Sequence, residues 1–197
     1  MIKIKFDDND QALIEKLAPH FRAIMEIIGE DPDREGLAKT PVRAAKALLE
    51  NTRGYHEDAE AIVKSAIFEY PGSDIVIVKG IEFYSLCEHH ILPFFGKVSI
   101  GYIPDGGIVG LSKLARVVDT FSRRLQVQER MTREICGVLT KMLPNKGVIV
   151  FCEAQHMCMK MRGVEKQDST TITLDYSGEF EDLNRQNEFF TLLRIEK

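Results

Sequence analysis

A chain of 197 residues with a formal charge of −4 can bury a substantial core as one domain, or as one domain with an appendage. The acidic balance argues against a nucleic-acid or membrane-surface role, because neither partner attracts an acidic protein over distance. Any anionic ligand therefore needs a local cationic pocket. No stretch approaches the roughly 18 apolar residues of a membrane span, and the start MIKIKFDDND lacks a signal peptide's apolar run. The expected setting is the cytosol, where thiols stay reduced and clustered Cys with His points to a metal or catalytic site rather than a disulfide. No internal repeat or low-complexity segment is visible.

From Asp10 to Ile28, Ala12, Leu13, Leu17, Phe21, Ile24, Met25 and Ile28 recur at helical spacing. Pro19 is expected to bend that helix or break it near Ala18, and Gly29 with the turn-rich EDPDREG to end it. Thr40 and Pro41 read as an N-cap followed by proline at the first helical position, starting a helix that runs to about Asn51. Arg43 in its first turn opposes the helix dipole, so it either has an anionic partner or is simply solvated. Ser65–Tyr70 and Asp74–Leu86 read as strands joined through Pro71 and Gly72, with a further strand from Gly96 to Ile103 closed by PDGG.

Gly110 to Arg124 reads as a helix with Ser112 as N-cap and Leu114, Val117, Val118 and Phe121 as its apolar stripe. Lys113 and Arg116 in its first turns, beside free N–H groups and a hydroxyl, suit an anion such as phosphate. A basic amphipathic helix with charges in water explains the same residues equally well. LQVQER joins this helix to another at Met131–Leu143, where Glu129 near the start suits the dipole without any function. Lys146–Met161 reads as a strand of period two, and Ser169–Tyr176 as its antiparallel neighbour. A last amphipathic helix begins at Glu179.

Two short stretches carry the chemistry. SLCEHHILP supplies Cys87, His89 and His90, and HMCMKMRG supplies His156 and Cys158. If the second strand ran on, Ala154, His156, Cys158, Lys160 and Arg162 would share one face. Each residue alone is more often inert: a strand Cys is usually a small buried hydrophobe, and a lone His is usually satisfied within the structure. Taken together, a C-x-x-H pair and an H-x-C pair in a chain of four cysteines and five histidines favour a metal, with zinc the ion that thiolate and imidazole suit best. Cys136 and Cys152 read as structural. The order of elements describes an α+β fold with a largely antiparallel sheet, whose open edges call for pairing between copies of the chain.

Four long segments, EDPDREGLAKTPVRAAKAL, SLCEHHILPFFGKVSIGYIP, VGLSKLARVVDTFSRRLQVQERMT and EAQHMCMKMRGV, together resemble the GTP cyclohydrolase I family over nearly the whole length. The resemblance implies a tunnelling fold: an antiparallel sheet with two central helices and an N-terminal helical appendage, residues 1–62 forming the appendage and 63–197 the catalytic domain. It implies a homodecamer with active sites between subunits. It also implies one zinc ion per subunit, held by Cys87, His90 and Cys158, with a fourth position open. Glu129 would read guanine through its ring N–H and amine, with Gln128 and Leu111 framing the base. Ser112, Lys113, Arg116, Arg162 and Arg43 would hold the triphosphate. The implied reaction is hydrolytic opening of the imidazole ring of GTP at C8, with His156 supplying a proton at N7. Formate is released, and His89 and Ser112 assist the later rearrangement to 7,8-dihydroneopterin triphosphate, which leads into folate or tetrahydrobiopterin synthesis. Ser99 departs from a histidine common in the family, and the segment STTITLDYSGEF departs from its usual pattern.

Two rival readings stand beside this one. A zinc base deaminase would require H-x-E with P-C-x-x-C, and neither is present. A non-catalytic protein with a structural zinc and a cationic docking helix would bind the metal without turning over GTP.

Overall fold

Asp7 opens the first helix, α1 (Asp8–Ile27), in the computed structural model of the chain, which describes residues 7–194. Its carboxylate accepts from the Asp10 N–H and the Asp10 carboxylate accepts from the Asp7 N–H, a reciprocal cap that satisfies two otherwise unpaired donors. The helix runs unbroken through Pro19 instead of stopping near Ala18. Proline removes one backbone hydrogen bond, and the capped first turn together with packing on the next helix outweighs that loss. α2 (Thr40–Asn51) begins one residue earlier than expected: Lys39 occupies the cap position without a side-chain hydrogen bond, so Thr40 is already helical. Pro41 still lies in the first turn, where its missing N–H has no partner to lose. The chain divides between Arg53 and Gly54 into two compact units, the first of which contains α1 and α2.

The second unit contains a short helix that hydrophobic periodicity did not reveal, α3 (Ala59–Lys64), capped by Asp58, whose carboxylate accepts from Ala61 N–H at 3.1 Å. Strands β1 (Ile67–Glu69), β2 (Val76–Cys87), β3 (Pro93–Pro104) and β4 (Gly107–Val109) follow. β1 does not form a hairpin with β2 across Pro71 and Gly72; it pairs antiparallel with β4 in a separate two-stranded sheet. Residues 70–75 lie outside any strand, so the connection is much longer than the two-residue loop a tight hairpin uses.

Next come α4 (Leu111–Ser122), β5 (Leu125–Gln126), α5 (Gln128–Met142), β6 (Asn145–His156), α6 (Met157–Lys160), β7 (Thr171–Gly178) and α7 (Leu183–Arg194). Gly110, not Ser112, is the cap residue of α4, so the Ser112 hydroxyl sits inside the first turn. Part of the expected linker LQVQER is ordered. Leu125–Gln126 pairs parallel with Leu86–Cys87, and α5 starts at Gln128, three residues before the expected Met131.

The larger sheet has the strand order β5-β2-β3-β6-β7, antiparallel except for the β5–β2 pair. One face, bearing Phe83, Phe94, Val98, Ile100, Val148, Val150 and Cys152, packs against Leu114, Val117 and Val118 of α4 and Met131, Ile135 and Leu139 of α5. On the other face, Ile149 and Phe151 of β6 meet Phe189 and Phe190 of α7. Period-two alternation along β6 thus serves two cores, and the even-numbered face leads to His156. The architecture is α+β, and none of the described helices is long and apolar enough to cross a membrane.

β6 ends at His156 instead of continuing to Met161. Its ladder with β3 reaches Phe94↔His156, where β3 begins at Pro93, which has no N–H to offer. Its ladder with β7 stops at Ala154↔Thr171. With no partner strand left, residues 157–160 satisfy their backbone in one helical turn.

Candidate metal centre and its surroundings

The turn after β2 folds Cys87 back towards His90. Cys87 N–H donates to Leu92 O at 2.8 Å, while Cys87 O accepts from His90 N–H at 3.2 Å and Ile91 N–H at 2.8 Å. This tight closure puts Ile91 at φ +54. A β-branched side chain in the left-handed region costs about 1–2 kcal/mol, local strain of the kind that collects at functional sites. The result is a Cys87 Sγ to His90 Nδ1 separation of 3.6 Å.

Cys158 reaches the same place from α6. The ligand atoms of Cys87, His90 and Cys158 all lie within 4.8 Å of one another, with Cys87 buried, Cys158 half-buried and His90 exposed. The donor set fits a tetrahedral ion of zinc's size: bonds of about 2.3 Å to sulfur and 2.0–2.1 Å to nitrogen set those atoms roughly 3.5–3.6 Å apart, matching the observed pair. Three protein donors leave one tetrahedral position for solvent or substrate. Burial, with the neighbouring Cys87 thiol adding to it, raises the Cys158 pKa, and Arg162 pulls it the other way. A divalent cation at this group would offset the penalty on the Cys158 thiolate.

His156, the last residue of β6, stands beside this group. Its ring stacks on Phe94 with centroids 4.6 Å apart and planes 3° from parallel, and its Nε2 lies 2.8 Å from Gln128 Oε1. Burial lowers its pKa, while the Glu129 carboxylate acts in the opposite sense. Gln128 is 1 % exposed, whereas Glu129, the next residue of α5, is exposed. The first turn of α5 therefore sends one amide inward to His156 and one carboxylate outward.

The remaining candidates are mostly exposed. His89 is exposed, with its Nε2 3.7 Å from Glu88 Oε1. Leu111, Ser112 and Arg116 are exposed on α4 with Lys113 half-buried, and Arg162 is exposed beyond α6. Among the described residues, no hydrogen bond or ion pair joins the side chains of Ser112, Lys113 or Arg116 to the Cys–His group. Arg43 lies exposed on α2 in the first unit. Cys136 and Cys152 are buried, and burial pushes both thiols up to about 12, so they remain neutral core residues.

Sequence reasoning missed two supports and marked a third residue, Ser99, only as a departure from the family. Phe94 backs His156, a contact set by the register Phe94↔His156 and invisible without it. Arg130 binds Glu88 and also donates to Gln126 Oε1 at 2.9 Å and Leu125 O at 3.2 Å, tying the ligand-bearing turn to α5. Ser99 is buried and accepts from Gly80 N–H at 3.2 Å, where the β2–β3 register shifts. The first two bring together residues distant in sequence; only the position of Arg130 next to Glu129 hinted at a role.

A family model described as GTP cyclohydrolase I matches residues 17–194. A protein named GTP cyclohydrolase 1 from Porphyromonas gingivalis is 56% identical over 178 residues, 90% of this chain and 92% of its own length. One of the same name from Bacteroides fragilis is 55% identical over 181 residues, 92% of this chain and 93% of its own, and one from Alkalilimnicola ehrlichii is 49% identical over 91% and 98%. Among solved structures, the archaeosine synthase QueF-Like in the apo form aligns with a TM-score of 0.43 at 18% identity, over 53% of this chain and 93% of that one, a likeness too slight to add weight. Matching the family model over nearly its whole length, and at least 49% identical to these three relatives, the chain belongs to the GTP cyclohydrolase I family.

Proposed function

We propose that the protein catalyses hydrolytic opening of the guanine imidazole ring of GTP, giving formate and 7,8-dihydroneopterin triphosphate, the entry to folate or tetrahydrobiopterin synthesis. The observation that carries this reading is the convergence of Cys87, His90 and Cys158 within 4.8 Å of one another, in a chain that belongs to this family. The ion is one zinc per chain. When bound it supplies Lewis-acid activation of water near neutral pH.

The protein's own groups do the rest. Glu129, exposed at the start of α5, accepts from the ring N–H and exocyclic amine of guanine, a donor pair that adenine lacks, with Leu111 and Gln128 beside the base. Ser112, Lys113, Arg116, Arg162 and Arg43 bind the triphosphate, some of them from a neighbouring subunit. His156 donates its proton at N7 as C8 is attacked. Burial lowers its pKa, which makes the protonated ring a stronger acid. His89 and Ser112 assist ribose opening and the rearrangement that follows. The surrounding proposal is a tunnelling fold, with residues 1–62 as helical appendage and 63–197 as catalytic domain, assembled as a homodecamer in the cytoplasm.

Incubating the purified, zinc-loaded protein with GTP tests this. Stoichiometric formate and a pterin that fluoresces after oxidation are expected. Bound zinc without either product would leave a structural metal site and overturn the proposal.

A further inference from the structure

We propose that Gln128 is a positioning residue that fixes the tautomer and ring setting of His156, holding the hydrogen on Nε2 and leaving Nδ1 as the lone-pair nitrogen of the neutral ring. The kinetic part of this inference rests on the function proposed above; the structural part does not.

The two hydrogens of the Gln128 amide are shared among three acceptors. The Gln128 amide nitrogen faces Cys152 O at 3.2 Å, Thr171 O at 3.1 Å and Thr173 Oγ1 at 3.2 Å. Two of these are carbonyl oxygens, which only accept, so the atom facing them must be the NH2 group. The amide oxygen is thereby turned to His156, 2.8 Å from Nε2. An amide oxygen also only accepts, so His156 Nε2 must carry the hydrogen.

The neighbouring hydroxyls close the same network. Thr132 Oγ1 lies 2.8 Å from Gln128 O and 2.6 Å from Thr173 Oγ1. Gln128 O can only accept, so Thr132 donates to it, and Thr173 in turn donates to Thr132. Thr173 keeps a lone pair for the Gln128 amide. No donor opposes another, and Gln128 is 1 % exposed, so water does not compete for its amide.

Phe94, stacked at 4.6 Å and 3° on one face of His156, holds the plane of the ring. Turning the ring over would set a C–H group against Gln128 Oε1 and forfeit the hydrogen bond. In the neutral ring Nδ1 is therefore the lone-pair nitrogen. The same logic operates wherever a second group fixes which nitrogen of a catalytic imidazole works.

The test combines a spectroscopic and a kinetic arm. Magic-angle-spinning NMR of histidine-labelled, zinc-loaded protein, with the His156 signals assigned by their loss in His156→Asn, reads the tautomer directly at a pH where the ring is neutral. Hydrogen on Nε2 is expected, and hydrogen on Nδ1 overturns the inference whether or not GTP is turned over. Gln128→Met removes the acceptor: formate release should fall in kcat by roughly 100-fold, with zinc content retained and His156 becoming a tautomer mixture. Gln128→Glu would turn an acceptor-only oxygen towards the Cys152 and Thr171 carbonyls in place of the NH2 group, so it offers no rescue. Loss of zinc in Gln128→Met, with the His156 hydrogen still on Nε2, would make Gln128 a purely structural residue and refute the proposal. Absence of formate from the wild type would sink the functional reading alone, leaving the NMR result to decide this one.

Discussion

Replacing Gly96 by Ala probes the packing that holds the site strands together. Gly96 lies opposite Ala154 in the β3–β6 ladder, two residues from the Phe94↔His156 pair. A Cβ there would stand 1.9 Å from Glu153 O and 2.7 Å from Ala154 Cα, both main-chain atoms with no side chain to rotate away. An ordinary carbon–oxygen contact needs about 3.3 Å or more, so the strands must part by over about 1 Å. Ladder hydrogen bonds with an N···O distance near 2.9 Å would then stretch beyond their useful range. Losing two such bonds at about 1 kcal/mol each, on top of about 1–3 kcal/mol for overpacking, predicts a loss of about 3–5 kcal/mol. Urea unfolding of the metal-loaded protein at fixed concentration measures this as a lower midpoint at unchanged slope. A loss under about 1 kcal/mol would refute the reasoning, because it would mean the strands accommodate a methyl group without yielding.

Gly137 is the converse case: it lies inside α5, and a Cβ added there would meet nothing within 4 Å, so Gly137→Ala should stabilise by about 0.5–1 kcal/mol in the same assay. Cys87→Ala and Cys158→Ala should each reduce bound zinc to background, as measured by elemental analysis after dialysis. His156→Ala should keep its zinc while formate release falls by roughly 100-fold; loss of the metal would make His156 a ligand. For Cys136 and Cys152, burial raises the folded pKa from 9.0 to about 12, so the stability tied to the neutral thiols is complete below pH 9 and lost as pH rises towards 12. The slope is about 1.4 kcal/mol per thiol per pH unit. Urea midpoints from pH 8 to 10.5 should show that decline and a shallower one in Cys152→Ala; identical slopes would count against the assignment.

Much of the second unit was legible because its signals are local. Alternation in Val148–Ala154, the apolar stripe of Leu114, Val117 and Val118, and the turn at Pro104–Gly107 each report a backbone period or a φ preference that tertiary contacts then reinforce. The misreadings cluster where two local signals were separated only by context. Thr40 and Ser112 are both good capping residues, yet Lys39 and Gly110 occupy the cap positions. At Gly110 the N–H is already spent on Ala66 O, at 3.0 Å, which fixes where the helix can begin. That bond links two strand ends and leaves no trace in a sequence window.

The site shows the same division more sharply. The residue types and spacings of Cys87, His90 and Cys158 pointed to a metal, but the geometry offered for Cys158, a strand face shared with His156, was not the one by which it arrives. The strand runs out of partners at Pro93, the chain turns helical, and Cys158 comes to the metal group from a helical turn while His156 remains on the sheet against Phe94. Had β6 continued, both side chains would have pointed the same way about 7 Å apart along the strand, and one ion could not easily be bound by Cys158 while His156 kept its place on Gln128. Ending the strand at His156 separates the proposed ligand from the proposed proton donor. The change of backbone at Met157 is therefore what would let two residues so close in sequence take the different roles proposed for them.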